Sequence, residues 1–453
     1  MRFVKAGHVR GVELRFRAVS PGLLALPWRE PLAHWDATVV PFRDLPVGPS
    51  RHLVRFVEAD SALWALKELP RDVSLREYDA LRAAEDAGLP SVRPAGVVMQ
   101  PADDAALLVT HYLEGSWQYR RLLMRIPSTM RAHRSRLLDG ISSLLVDLHR
   151  SGIYWGDCSL ANTLFTRDGQ SIKAWLVDAE TAEVHAHLSD GQRRHDLDIA
   201  VENILGGLMD VAARLEEDRA GGSELGEQLT EEAEGVAARY RDLWDVLHEE
   251  PLVDPADARS IGDRIGRLND LGFQVGEVRL DDVRRTPTDA PPGVADGLLR
   301  LSFGIAGHQF HAEQLRSLTG LDVGEGQAAI LLSDLRSHQR RLEFDSGRLV
   351  SEFAAARSWF ENVLSPGMEM AHAAVGGAGD PTQAYCDLLE VRWLLSERAG
   401  HDVGDEPALD ALRRRRPPQD SAADLRIVDL PTEELPVMTF DDGDPGERES
   451  AEV

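Results

Sequence analysis

The stretch from Ser143 to Thr181, SLLVDLHRSGIYWGDCSLANTLFTRDGQSIKAWLVDAET, constrains this chain more than any other. It opens on an apolar helical stripe (Leu144, Leu145, Leu148), passes through a short polar loop holding Asp157 and Asn162, and continues as two strand-like runs that end at Asp178. The five-residue step from Asp157 to Asn162 carries chemistry. Moving a phosphoryl group needs one carboxylate to meet the acceptor hydroxyl, with an amide oxygen and a further carboxylate to hold Mg²⁺ over the phosphates.

Helix, D-x4-N loop, hairpin, apolar strand and Asp, in that order, resemble the protein-kinase-like superfamily. On that resemblance WGDCSLAN is the catalytic loop and VDAE the metal-binding turn. Several features agreeing in order and spacing weigh more than a lone D-x4-N, which occurs by chance in many proteins.

A chain of 453 residues, 43% hydrophobic, buries a large core and is expected to form two domains or more. No run reaches the ~18 consecutive apolar residues of a membrane span, and MRFVKAGHVRGVELRF lacks a signal-peptide core, so a cytoplasmic protein is expected. Cys158 and Cys386 give neither a disulfide framework nor metal-ligand spacing, which suits a reducing compartment. A net charge of −26 disfavours nucleic acid and anionic lipid as partners of the whole chain.

Among fifty basic residues only Lys5, Lys67 and Lys173 are lysines. Where nearly every cation is Arg, a retained Lys marks a place that needs a compact ammonium. Lys67 lies in the strand-like run LWALKEL, after ATVVPF and HLVRFVEA, which flank RDLPVGPSR; residues 1–36, with Trp28 and Trp35, read as a lead-in packed on this first lobe. In a kinase-like lobe the first turn covers the nucleotide phosphates and the third strand supplies their Lys. Gly48 is the one glycine of that turn, so backbone amides near Gly48 and Ser50 and the cations of Arg51 and His52 are the candidate phosphate contacts.

Residues 73–87 read as an amphipathic helix with Tyr78, Leu81 and Ala84 inward; the kinase-like resemblance implies a helical glutamate paired with the strand lysine, and Glu77 is the candidate partner of Lys67, ahead of Glu85. Leu107–Thr110 reads as the last strand of the lobe. His111 to Glu114 is the hinge, so the backbones of His111 and Leu113 are candidates to bind an adenine edge.

Trp155 stands where protein kinases usually carry His, and Ser159 where they carry Lys, removing a cation that would steady the transferred group. Ala179-Glu180 replaces the usual Phe-Gly; Glu180 is a candidate additional metal ligand. Of Asp196 and Asp198, near the start of a long helix, one could hydrogen-bond the loop backbone from below, the alternative being helix capping.

Residues 216–234 read as an acidic linker to a second, mostly helical region, with strand-like FQVGEVRL and LLRLSFGI, a helix–turn–helix outline turning at Thr319-Gly320, and the amphipathic helix AYCDLLEVRWLLSERAG, expected to pack against the first domain. From about Glu406 order should fail: residues 420–453 hold eleven acids and two arginines without apolar periodicity.

Together GPSRHLVRFV, ALKELP, LREYDALR, WGDCSLANTLF, LVDAETAE and LEVRWLLSERAGHDVG resemble an actinobacterial lipopolysaccharide-kinase-like family, the Kdo kinase or WaaP-type group, whose second domain is of unknown function. The expected architecture is α+β: a two-lobed kinase-like fold over 1–225 (lobes about 37–113 and 114–225), a mostly helical domain over 226–405, and a disordered acidic tail over 406–453. The expected activity is an ATP- and Mg²⁺- (or Mn²⁺-) dependent phosphotransferase acting on a hydroxyl of a small molecule, sugar or protein. Asp157 would be the base, Lys67 the phosphate clamp, Glu77 its orienting partner, and Asn162 and Asp178 the metal ligands. The alternatives are a pseudokinase or nucleotide-binding scaffold working through its second domain, and nucleotidyl transfer. A protein partner would dock on the second domain or the acidic tail.

Overall fold

The computed structural model describes residues 12–17, 20–45, 51–100, 105–125, 131–216, 223–255, 257–282, 298–377 and 379–414. Its first part is a six-stranded antiparallel sheet built from β1 (Glu13–Phe16), β2 (Phe42–Arg43), β3 (Val54–Ala59), β4 (Ala62–Pro70), β5 (Pro94–Met99) and β6 (Ala105–His111), in the order β1-β5-β6-β4-β3-β2. β3 and β4 join through Asp60-Ser61, both at positive φ (52° and 60°), the two-residue turn whose twist matches paired strands.

Alternation along the strands sends side chains to two separate cores. One face (Leu66, Val98, Leu107, Val109) packs on Trp28, Trp35 and a helical turn, α1 (Pro21–Leu24), so the lead-in does cover the first lobe. The other face (Leu69, Val97, Ala106, Leu108) packs on Tyr78, Leu81 and Ala84 of α2 (Arg71–Asp86), the inward stripe read from its 3.6-residue period.

Where ATVVPF suggests a strand from Ala37, only Phe42–Arg43 is one. Asp36 captures the stretch instead: its carboxylate accepts from both the backbone and the hydroxyl of Thr38 at 2.8 Å, and its carbonyl accepts from Val39 and Val40. This aspartate-led turn overrides the β-branched composition.

The second lobe begins at β7 (Trp117–Gln118) and α3 (Tyr119–Arg125), then runs through α4 (Arg131–Arg150), β8 (Ile153–Tyr154), the hairpin β9 (Thr163–Asp168) and β10 (Ser171–Leu176), β11 (Glu183–Val184) and α5 (Asp190–Glu216). The sequence begins the second domain at 226. In the structure α6 (Ser223–His248) places Leu229, Ala233, Val236 and Tyr240 in the same core as α4 and α5.

Beyond it come β12 (Leu252–Val253), α7 (Ala258–Asp270), β13 (Gln274–Asp282) and β14 (Leu299–Gly307), the strands forming a sheet ordered β12-β14-β13. Five further helices follow: α8 (Phe310–Thr319), α9 (Glu325–Ser346), α10 (Glu352–Trp359), α11 (Ser365–Ala374) and α12 (Pro381–Ala399). α8 stops at Gly320, whose φ of 79° lets the chain turn. The last element, α13 (Asp405–Arg414), buries Ala408, Leu409 and Leu412 in the helical core around Trp359 and Leu388, so order continues past Glu406. Residues 415–453 lie outside the described residues.

Candidate active site

Lys67 sits on β4 between Val54 of β3 and Leu108 of β6, a central position that holds its backbone rigidly. Two turns into α2, Glu77 is 1% exposed. The ammonium lies 3.1 and 3.2 Å from the two Glu77 oxygens and 2.8 Å from Oδ2 of Asp178, with Oε2 of Glu180 at 3.8 Å. Burial alone would depress the Lys67 pKa, but the Glu77 and Asp178 carboxylates outweigh it and hold the ammonium above the usual lysine range. Burial, helped by Asp178, pushes Glu77 up to about 7 against the pull of Lys67.

The Asp178 turn is braced from below. Trp155, fully buried, donates its indole N–H to the Asp178 carbonyl at 3.0 Å, and Ala179 donates its backbone N–H to Glu77 at 3.4 Å. Trp155 therefore joins the Asp157–Asn162 loop to the turn that carries Asp178.

Within the loop, Asn162 donates to Oδ2 of Asp157 at 3.1 Å and to its carbonyl at 3.0 Å, leaving the amide oxygen of Asn162 as the atom that could coordinate a cation. Ser159 accepts from the Asn162 backbone N–H at 3.2 Å, so its side chain closes the loop. Asp196, completely buried, is the aspartate beneath: it accepts from the backbone of Trp155 at 2.7 Å and of Gly156 at 2.8 Å, and contacts His149 at 3.0 Å. His149 in turn meets the Tyr240 hydroxyl at 2.8 Å, as a core histidine. Asp198 is exposed. The Cys158 thiol, fully buried, is pushed well above its usual pKa by that burial, as fits a packed loop thiol.

Sequence reasoning missed Asn203 and Tyr240. Asn203 donates to Oδ1 of Asp157 at 2.9 Å and to the Cys158 carbonyl at 3.2 Å. Its signal was its place seven residues, two helical turns, after Asp196 on the same face of α5. Tyr240 belongs to a helix the sequence assigned to the other domain.

The expected phosphate turn is only partly visible, because Gly48 and Ser50 lie outside the described residues. Arg51 is exposed, and His52 reaches the site through Glu180, with Nε2 3.2 Å from Oε2. At the hinge the His111 backbone N–H is spent on the Arg93 carbonyl at 2.9 Å and its ring lies against Trp64, while the Leu113 carbonyl accepts from Ser116 at 2.7 Å.

Glu77, Asp178 and Glu180 offer oxygens all within 4.8 Å of one another. Oε2 of Glu180 is buried and accepts no hydrogen bond of normal geometry, although His52 and Lys67 are near it. The Lys67 ammonium sits among these three carboxylates, and oxygen donors of this kind are also the ones a hard divalent cation such as Mg²⁺ or Mn²⁺ takes. A cavity of about 770 Å³ lies elsewhere, between α4, β10 and the segment around His308.

Strand lysine paired to helix glutamate, D-x4-N loop and following aspartate, set between a sheet lobe and a helical lobe, define a protein-kinase-like chain. Residues 59–202 match the lipopolysaccharide kinase (Kdo/WaaP) family, and residues 242–415 match a domain of unknown function, DUF4032. A solved structure described as WaaP in complex with acyl carrier protein is similar at 17% identity and a TM-score of 0.28, over 43% of this chain and 90% of that one. Among curated proteins none matches. No described helix is long and apolar enough to cross a membrane.

Proposed function

We propose that this chain is an ATP-dependent phosphotransferase acting in the cytoplasm on a hydroxyl of a small molecule, sugar or protein. The observation that carries the reading is the Asp157 carboxylate, held between two neutral amides in a loop that Trp155 ties to the Asp178 turn, where Asp178 meets the Lys67–Glu77 pair. Asp157 accepts the acceptor proton as its oxygen attacks. Lys67, oriented by Glu77, binds phosphate oxygens. Asn162 and Asp178, with Glu180 as an additional ligand, would hold Mg²⁺ or Mn²⁺, which when bound neutralises charge developing on the phosphates.

A nucleotide-binding scaffold is favoured by one observation: Ser159 is committed to the loop backbone, where protein kinases carry a cation. Thermal melts with ATP, with and without Mg²⁺, test the binding step. At ligand ~100-fold above Kd the gain should be about 2.7 kcal/mol with metal present, and no shift at millimolar ATP rejects the reading.

A further inference from the structure

Asn162 and Asp178 flank one hairpin. Asn162 immediately precedes β9, Asp178 follows β10 by two residues, and the Val177 N–H to Asn162 carbonyl bond at 3.3 Å closes the root. The tip of that hairpin is gripped by the segment matching DUF4032. α9 has glycine, Gly324, at its N-cap and therefore no side chain to cap itself. Asp168, at the end of β9, supplies the cap from across the interface: its Oδ1 accepts from the Gln327 backbone N–H at 2.8 Å, where the helix dipole favours a carboxylate.

Gln383 of α12 completes the grip. Its Oε1 accepts from the Gly169 N–H at 2.9 Å and its Nε2 donates to the Gly169 carbonyl at 3.0 Å, while Gln327 donates to Gln383 at 3.1 Å. Arg167 pairs with Asp387 at 2.8 Å. The approach is too close for side chains, since a Cβ added at Gly326 would lie 2.2 Å from the Asp168 carbonyl oxygen.

We propose that the DUF4032 segment is a clamp on the β9–β10 hairpin, with Asp168, Gln327 and Gln383 as positioning residues that fix the root carrying Asn162 and Asp178. The link to catalysis rests on the phosphotransferase reading; the mechanical link does not. A hairpin gripped at its tip and joined to candidate metal ligands at its root transmits displacement of one end to the other, because its ladder keeps register over six residue pairs.

The test uses the full chain with Gly326→Ala, Asp168→Ala and Asp168→Asn. Alanine is the better helix former, so a loss in Gly326→Ala reports the wedge against Asp168 and not helix propensity. Asparagine is as good a cap as aspartate and should restore wild-type behaviour. Amide exchange at Thr163–Phe165 and Leu176–Ala179 should quicken roughly five- to tenfold in both alanine variants, the scale of a lost cap. The Mg²⁺ concentration for half-maximal ATP turnover should rise with it. Unchanged root exchange in both folded alanine variants overturns the clamp. Faster exchange in a protein that never turns over ATP supports the clamp and sinks the phosphotransferase reading instead.

Discussion

Asn203 Nδ2 lies 2.9 Å from Oδ1 of Asp157 and holds the carboxylate opposite Asn162. Hydrogen bonds to a charged group are worth ~1.5–3 kcal/mol, so Asn203→Ala should lower kcat by roughly 10- to 100-fold. Because Asn203 contacts the carboxylate and not the Lys67 cluster, KM for ATP should stay within about twofold. A raised KM with unchanged kcat would contradict the role given to Asn203.

Lys67 occupies a three-carboxylate site built around an ammonium. Lys67→Arg keeps the charge but brings a planar fork too large for that space, so most ATP-dependent activity should disappear with little change in melting temperature. Lys173, stacked over Trp175 at 5.1 Å, makes a contact arginine also makes, and Lys173→Arg should behave as wild type. Lys5 lies outside the described residues, and Lys5→Arg should be silent too. Parallel activity and melting measurements decide: a fully active Lys67→Arg protein removes the phosphate-clamp assignment.

Trp155→Phe preserves most of the apolar contact and deletes the N–H that satisfies the Asp178 carbonyl. Stranding that oxygen should cost about 1–3 kcal/mol in urea unfolding. An unchanged midpoint would mean the carbonyl finds another donor.

The join between α4 and the segment around His308 should depend on pH. Both ring nitrogens of His308 face acceptors, Asp147 Oδ2 at 2.8 Å and the Leu271 carbonyl at 3.1 Å, so only the imidazolium satisfies both. Burial would lower its pKa, but Asp147, with a smaller contribution from Glu325, holds it above the ordinary 6.5. The sign follows from linkage: a raised folded pKa gives stability that is full below pH 6.5 and lost as pH rises through the folded value. Arg150 also lies 4.0 Å from the Asp147 carboxylate. Melting temperature should therefore fall above pH 6.5 in the wild type and fall less in His308→Gln; equal slopes in the two proteins would refute this.

What was legible in the sequence was what local periodicity and spacing encode. Asp157, Asn162 and Asp178 fall on one continuous segment, and Glu77 was reached through the kinase-like resemblance, in which a helical glutamate pairs with the strand lysine. Asp196 was one of two candidates, and burial chose between them. The Asp168–Gln327 bond joins residues 159 apart, and Tyr240–His149 joins residues 91 apart. Nothing local announces such pairs, because they exist only once two separately formed elements dock. Strand β1 escaped notice for the same reason: four residues gain their identity from pairing with β5.

Phosphoryl transfer itself is most directly tested by incubating the wild type and Asp157→Asn with γ-labelled and, separately, α-labelled ATP, Mg²⁺ and cell extract. Asparagine keeps the shape of the side chain but cannot take the acceptor proton. The γ label should pass to an acceptor with the wild type and at least ~100-fold more slowly with Asp157→Asn, while the α label stays in nucleotide. Transfer of the α label, or equal γ transfer by both proteins, would contradict the assignment of Asp157 as the base of a phosphotransferase.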